Sequence, residues 1–359
     1  MKTLMFQEEK KKKGKIRLVA YPYTYVRTTV MRSLLLKKED YDKIMKMSLS
    51  EIANLLQESD YKDEINELAA KYSGAELVER ALSKNLARRF KKLKRISPYE
   101  LNLLISAYLN REDIFNIKTI LRGKYTNTDD SETESLLIPV GTLSKRYLAE
   151  LLKKKTIEEI LKNIQIIDFR HIAKAYDSFK KNNMLIEIEN ALDRHYYNET
   201  LNFVSRIPKQ GALFKEFLEA EIEVLNILTI LRLKKENLSK DEIEKYIFVK
   251  NKTAFFGELL KSRSIEEILS ALEKSKYGRI IRDAIKKFNE SRSLIPIEMS
   301  LYRYLLGKSM LLQHQHPLSV DIILGYMFAK EIEARNLRVI AKGKQLSLPN
   351  EFIESQLVV

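Results

Sequence analysis

The sequence predicts an all-α protein built from three similar helical domains, and three observations support this fold class. Glycine and proline are scarce, at ten and seven of 359 residues, which disfavours an all-β protein with many tight turns. Apolar residues recur at helical spacing, as at Val78, Leu82, Leu86, Phe90 and Leu93. Three short motifs each occur three times at nearly equal intervals along the chain, which indicates an internal triplication.

The first motif marks the starts of helices. A Ser or Thr is followed three residues later by a Glu, and the hydroxyl residues, equally spaced along the chain, are Ser48, Thr156 and Ser264. In such a capping box the hydroxyl accepts the N3 amide hydrogen and the Glu reaches back to the cap amide. We therefore expect a helix to begin after each hydroxyl residue.

The other two motifs lie within longer amphipathic helices. The second places a Leu three residues after Glu79, Glu189 and Glu298. The third centres on Asn116, Asn226 and Asn336, which are again equally spaced. Each Asn follows an acid by three residues, and these acids are Asp113, Glu223 and Glu333. Because Asn is a poor mid-helix residue and the pattern recurs three times, we interpret the Asn and the acid as architectural residues that hold a neighbouring backbone.

Bases six and eight residues after each Asn predict the last turn of the helix, where positive charge offsets the macrodipole. They are Arg122, Lys124, Arg232, Lys234, Lys342 and Lys344. Gly123 and Gly343 are expected to supply the left-handed residue that stops the first and third copies. Leu233 takes this position in the second copy, so the stop of that helix must differ.

These spacings predict the domain organisation. A basic N-terminal arm covers residues 1–20, three helical repeats cover 21–125, 126–235 and 236–345, and a C-terminal tail covers 346–359. Three like domains with like contacts predict a pseudo-threefold arrangement. Only Val19–Val26 and Leu136–Val140 are predicted to be extended, and the polar stretches Thr126–Ser135 and Lys235–Glu242 are expected to be linkers.

The sequence offers little for catalysis or for a cofactor. It has no cysteine, which excludes disulfides and thiolate chemistry and predicts a reducing, intracellular location. The glycines are widely separated along the chain, which excludes glycine-rich phosphate loops. The histidines, which have no evident metal-ligand partners, are His171, His195, His314 and His316. We therefore predict no catalytic residue, cofactor, metal or small-molecule substrate; an enzyme with an unrecognised site in an interdomain cleft is a third possibility.

Positive charge is concentrated in two places. The net charge is +15, of which residues 1–17 carry +5 and residues 84–95 carry +7. The second stretch is expected to lie on the solvent-facing side of a helix, either simply as a solvated face or as a candidate partner-contact face for nucleic acid, anionic headgroups or an acidic protein. Its residues are Lys84, Arg88, Arg89, Lys91, Lys92, Lys94 and Arg95.

The N-terminus and the hydropathy of the chain bear on its location. The apolar stretch Leu4–Phe6 is too short for a secretory signal and is followed by a charged run. No uncharged apolar run approaches the roughly 18–20 residues of a membrane-spanning helix. Any membrane contact is therefore expected to be peripheral.

Several segments resemble a known family. They are Tyr21–Val26, Met31–Leu36, Leu77–Leu82, Arg95–Pro98, Ala107–Leu109, Asp113–Lys124, Leu137–Gly141 and the helix with Asn336. Together they resemble the C subunits of the archaeal and bacterial A/V-type ATP synthases, a family similar to the d subunit of the eukaryotic vacuolar ATPase. The resemblance covers nearly the whole chain and is strongest over Tyr21–Lys124.

The resemblance implies a non-catalytic, funnel-shaped subunit of three helical domains. Such subunits belong to the central stalk, on the cytoplasmic side of the membrane, where they couple the shaft to the proteolipid ring during ATP synthesis or ion pumping. The family implies no catalytic residue and no cofactor. The alternative from another class is a helical-repeat scaffold that binds nucleic acid through the basic helix face.

Overall fold

The computed structural model describes residues 21–208, 210–248, 254–315 and 318–359, so the arm predicted for residues 1–20 lies outside it. These ranges contain nineteen helices and no strand, which confirms the all-α class. In chain order they are α1 Pro22–Arg32, α2 Lys38–Ile44, α3 Leu49–Gln57, α4 Lys62–Leu68, α5 Gly74–Ile96, α6 Tyr99–Thr126, α7 Asp130–Ser135, α8 Lys145–Leu152, α9 Ile157–Lys162, α10 Phe169–Asn182, α11 Ile186–Val204, α12 Gln210–Lys235, α13 Lys240–Ile243, α14 Ala254–Lys261, α15 Ile265–Glu273, α16 Gly278–Ser291, α17 Ile295–Gln315, α18 Asp321–Gln345 and α19 Asn350–Ser355.

The helices belong to two compact units. One unit is formed by Phe90–Lys215, and the other by Tyr21–Arg89 with Glu216–Val359. The boundaries between them fall inside α5 and α12, so both of these long helices contribute residues to each unit.

The unit formed by Phe90–Lys215 is organised around α11. This helix packs against α6 and α10, and its core includes the buried Leu148 and Leu192. The rings of Tyr108 and Phe214 lie 6.1 Å apart, a separation at which aromatic rings attract each other.

In the second unit, α1 and α17 pack against α18, and α16 packs against α17. One continuous apolar cluster combines residues from the two ends of the chain. Its members include Ile44, Leu56, Leu82, Leu337, Ile340 and Ile353. Residues near position 50 and residues near position 350 therefore share one core. Its side chains are almost fully excluded from water, which stabilises the unit.

The hydroxyl residues of the first motif begin helices as predicted. Ser48, Thr156 and Ser264 precede α3, α9 and α15, and each side chain accepts a hydrogen bond from the N3 amide. The acid of the motif differs among the copies. Glu51 accepts from the amide of the cap residue, whereas Glu159 and Glu267 accept from the amide one residue earlier, at Lys155 and Arg263.

The prediction that Gly123 and Gly343 stop their helices is wrong. Both helices run past the glycine, and the left-handed residues are Asn127, Asn237 and Ser347, which keep the spacing of the third motif. The glycines instead allow close approach of the following short helix. A Cβ at Gly123 would lie 2.5 Å from the Thr133 side chain, and one at Gly343 would lie 2.5 Å from that of Ile353.

Two local predictions are also corrected. Of the segment predicted as extended, Val19–Val26, the described part enters α1 at Pro22, because proline at the first helical position costs no hydrogen bond. The first expected linker contains α7 and the second contains most of α13; Thr133 of α7 and Ile243 of α13 are buried. Leu136–Val140 follows α7 without forming a strand.

No helix among the described residues is both long enough and apolar enough to cross a membrane.

Candidate functional site

The most regular feature of the structure is a set of three buried Asn clamps. Asn116, Asn226 and Asn336 are fully buried in α6, α12 and α18. Each carboxamide donates to the carbonyl and accepts from the amide of one residue 22 positions later, at Ile138, Phe248 and Val358. The six N···O distances lie between 2.7 and 3.0 Å.

The chemistry of the carboxamide explains why Asn occupies these positions. It offers one acceptor and one donor at neighbouring atoms, which matches the N–H and C=O of a single extended residue. An aspartate would replace the donor with an acceptor facing the carbonyl, and an alanine would leave two buried backbone groups without partners. The clamps therefore fix the segment after each long helix to that helix.

The acid three residues before each Asn also binds chain segments distant in sequence. Asp113 accepts from the amide and hydroxyl of Thr142, at 2.6 and 2.8 Å, and from the amide of Leu143. Burial raises the pKa of Asp113, while these hydrogen bonds act in the opposite direction. Glu223 instead forms an ion pair with Lys276 at 2.8 Å.

Glu333, the third acid, lies at the centre of a buried charged cluster. It accepts from the amide of Leu36, the hydroxyl of Tyr61 and the ammonium of Lys330, each at 2.6 Å. Lys330 is 1% exposed and also contacts Asp60 at 3.2 Å. Burial lowers the pKa of Lys330, and the neighbouring Glu333 opposes that shift. Two acids and a lysine thus share one desolvated space, where loss of one partner would leave an uncompensated buried charge.

Ion pairs connect the second and third sequence motifs. Arg122 makes a bidentate pair with Glu189 at 2.6 and 2.7 Å, and Arg232 makes one with Glu298 at 2.8 Å. Lys342 lies 3.3 Å from the remaining acid of this motif, Glu79. The base six residues after the first Asn therefore meets the second copy of the motif glutamate, the second meets the third copy, and the third meets the first.

The basic helix face differs from the expectation in its first half. Arg89 is 8% exposed and pairs with Asp60, so it does not face solvent as predicted; the acid carried by the turn before α4 draws it inward. Arg88 binds Asp63 and Glu64, and Lys84 binds Glu67. Four acids from one short segment thus offset the charge of three of the seven predicted bases.

The second half of the same face is more open to solvent. Lys91 and Arg95 are exposed on the last turns of α5, and Lys92 and Lys94 are partly exposed. Leu93, on the other side of the helix, is fully buried. The exposed part of the predicted contact face therefore centres on Lys91 and Arg95.

The described histidines, His171 and His195, lie beside each other. Their rings lie 6.0 Å apart, and His195 Nε2 is 3.1 Å from the carbonyl of Ile166. Burial lowers the pKa of His195, which favours its neutral form. Among the described residues no group of three or more histidines and acids could hold a metal ion. The side chains of His314 and His316 lie outside the described part of the chain.

Sequence reasoning located the Asn, its acid and the motif glutamates but missed their partners. It also missed Lys330 and Asp60, which lie 270 residues apart in the chain. One signal in the sequence could have indicated the ion pairs between the motifs. A base recurs six residues after each Asn, and a Glu recurs at nearly the same interval.

Together these features define an all-helical protein in which buried polar side chains fasten one chain segment to another. The sequence profile of the family described as the ATP synthase (C/AC39) subunit matches residues 24–356. The chain belongs to this family, which confirms the resemblance seen in the sequence.

Individual relatives agree over almost the full length. The A-type ATP synthase C subunit of Methanosarcina acetivorans is 36% identical over 356 residues, covering 98% of this chain and 96% of the relative. That of Methanococcoides burtonii is 37% identical, covering 94% of each chain. That of Haloquadratum walsbyi is 35% identical, covering 94% of this chain and 97% of the relative.

Proposed function

We propose that the chain is a non-catalytic central-stalk subunit of an A/V-type ATP synthase. In this role it couples the central shaft to the membrane proteolipid ring during ATP synthesis or ion pumping. It would sit peripherally at the cytoplasmic face of the cell membrane. The observation that carries the proposal is the family match over residues 24–356, together with relatives of similar length that are named as the C subunit of this complex.

The ion pairs and clamps support a mechanical role. A coupling subunit must transmit torque, so its segments have to resist sliding past one another. Each Asn clamp fastens a backbone segment by two hydrogen bonds inside the core. Bidentate pairs such as Arg122 with Glu189 then tie one long helix to another, with a directional geometry that a single apolar contact lacks.

We also propose three similar domains, with repeats at 21–125, 126–235 and 236–345, in the pseudo-threefold, funnel-like arrangement that the family resemblance implies; the recurring contacts support the triplication. The clamp spacing of 22 residues and the left-handed residue recur in all three. The ion pairs run from the first repeat to the second, from the second to the third and from the third to the first. This cyclic order is what a pseudo-threefold arrangement requires.

The experiment is affinity purification of the tagged full chain from native membranes. The proposal predicts that shaft subunits, the proteolipid and the subunits of the catalytic head co-elute. Recovery of the chain without the proteolipid and shaft would contradict it. Retention of nucleic acid at near-physiological salt would favour the scaffold alternative, which the acids around Arg88 and Arg89 disfavour by lowering the local positive charge.

The proposed contact face is best tested at its exposed end. Replacing both Lys91 and Arg95 by Glu should weaken assembly while leaving the helical circular dichroism unchanged, because both side chains are exposed. Replacing Lys153 and Lys155 by Glu is the matched control, since these lysines are exposed in the same unit. Equal effects of the two double variants would remove the contact face from the proposal.

A further inference from the structure

Helix α1 stands outside the pattern followed by the rest of the chain. In two cases the clamped residue lies shortly before the next helix, with Ile138 ahead of α8 and Phe248 ahead of α14. If α2 corresponds to α8 and α14, the segment before α2 should supply the residue held by the third clamp. That segment is α1. The third clamp holds Val358 from the C-terminal segment instead. Given the triplication proposed above, α1 is therefore a helix displaced from the shared architecture.

One face of α1 is nevertheless fixed to the second unit. Thr24, Thr28 and Met31 are buried where α1 packs against α18. The Tyr21 amide lies 3.4 Å from the Leu318 carbonyl. The contacts that hold α1 therefore lie on one side of the helix.

The opposite face of α1 is apolar and exposed. Tyr23, Val26 and Val30 are 63%, 56% and 55% exposed, and Leu34, just beyond the helix, is 49% exposed. Their spacing of three and four residues places them on one side of the helix, which we call the exposed row. A contiguous set of exposed apolar side chains on a folded protein marks a binding surface.

The charge around the exposed row is of one sign. Between Tyr21 and Lys38 the chain carries four bases and no acid. Arg27, Lys37 and Lys38 are exposed. The first acids, Glu39 and Asp40, belong to the first turn of α2, where Asp40 accepts from the Lys37 amide. The occupant of this face must therefore be both apolar and anionic.

We infer that the exposed row of α1 binds the surface of a bilayer that contains anionic lipid. Aliphatic side chains and a tyrosine enter the boundary between headgroups and acyl chains, while Arg27 and the two lysines meet the headgroups. A protein partner fits less well, because four side chains are few beside the roughly 20–30 residues a side of a standard protein interface. The inference rests on the proposed function, which brings the chain to the membrane.

The absence of tryptophan from the sequence makes a direct test possible. The full-length Val30→Trp variant has a single indole in the exposed row. Its emission should shift to shorter wavelength when vesicles of phosphatidylglycerol and phosphatidylcholine are added. Ile186→Trp is the control, because Ile186 is also exposed but lies on α11. An unshifted Val30→Trp emission, or an equal shift at both positions, would overturn the inference.

Vesicle flotation measures the binding itself. The combined variant Val26→Ser, Val30→Ser and Leu34→Ser should bind anionic vesicles about tenfold more weakly than the unmodified chain. The variant Met184→Ser with Ile186→Ser should bind normally, because both residues are exposed apolar side chains that do not belong to the exposed row. Binding that is equal in all variants and abolished by salt would assign it to the basic residues alone and overturn the inference.

The outcome separates this inference from the proposed function. Vesicle binding uses the purified chain without other subunits, so it can fail while the chain still co-purifies with shaft and proteolipid. Normal flotation of the triple variant combined with loss of co-purification would identify the exposed row as a protein interface and overturn lipid binding. Failure of the unmodified chain to co-purify would instead contradict the proposed function.

Discussion

Asn336 holds Val358 through two hydrogen bonds, at 2.8 Å to its carbonyl and 3.0 Å from its amide. Leu357 and Val358 are each 1% exposed, and Arg303 donates to the Leu357 carbonyl. The segment predicted as a C-terminal tail is therefore part of the core of its unit. It occupies the same relation to α18 that Ile138 has to α6.

Removing one clamp should destabilise the protein clearly. Asn336→Ala leaves a buried amide and a buried carbonyl without partners, so we expect a loss of about 2–4 kcal/mol in the free energy of unfolding. Urea denaturation followed by circular dichroism measures it. The control is Asn54→Ala, because Asn54 is exposed on α3, and its effect should stay within about 0.5 kcal/mol. Equal effects of the two variants would mean that the clamp contributes nothing specific.

Glycines of the long helices should respond to alanine according to their surroundings. Gly343→Ala places a methyl group 2.5 Å from the Ile353 side chain, so we expect a loss of about 1–3 kcal/mol. Gly307→Ala places it in open space on α17 and should stabilise the protein by up to about 1 kcal/mol. Thermal denaturation of the pair checks the opposite signs. A gain in stability from Gly343→Ala would refute the close approach of α19.

The pair of Arg122 and Glu189 should show a measurable coupling. Glu189 is 10% exposed in its side chain and Arg122 is 56% exposed, so solvent screens the bidentate pair only in part. A double-mutant cycle with Arg122→Met and Glu189→Gln should give about 1 kcal/mol. The exposed pair of Arg146 and Glu150 within α8 provides the comparison, with an expected coupling of about 0.3 kcal/mol. Equal couplings would mean that the pairing between α6 and α11 has no special strength.

Asp168 should contribute to stability in a pH-dependent way. Hydrogen bonds from the Arg170 side chain and amide lower the pKa of Asp168 to about 2, below its ordinary value of 3.8. A carboxyl group with a lowered pKa in the folded state stabilises the fold above its ordinary pKa and loses that contribution as pH falls toward the folded-state value. The difference in unfolding free energy between the unmodified chain and Asp168→Asn should therefore shrink across this window. A difference independent of pH would contradict the assignment.

The sequence was sufficient for features that depend on local spacing. Capping residues at Ser48, Thr156 and Ser264 and the amphipathic helices around each Asn follow from the 3.6-residue period and from cap chemistry. The prediction for α1 was wrong because Pro22 is compatible both with an extended segment and with the first turn of a helix. The glycine stops were wrong because the close approach of α7 and α19 is set by the packing of later segments.

The site required contacts that no local pattern contains. Lys330 meets Asp60 across 270 residues, and Lys342 meets Glu79 from near the other end of the chain, so their pairing depends on the assembled fold. For the same reason the charge of residues 84–95 could be counted from the sequence, but which of these bases face solvent could not be predicted. Arg89 turned inward because Asp60 lies beside it in the core, whereas Lys91 and Arg95 stayed exposed.

The central claim is that this chain couples rotation to ion movement without catalysing a reaction itself. The most direct measurement is ATP-driven ion transport by the synthase reconstituted into vesicles with and without the chain, with ATP hydrolysis followed in parallel. The claim predicts that without the chain hydrolysis by the catalytic head persists while transport is lost, and that the purified chain restores transport. Full transport in its absence, or loss of ATP hydrolysis when the chain is left out, would contradict it.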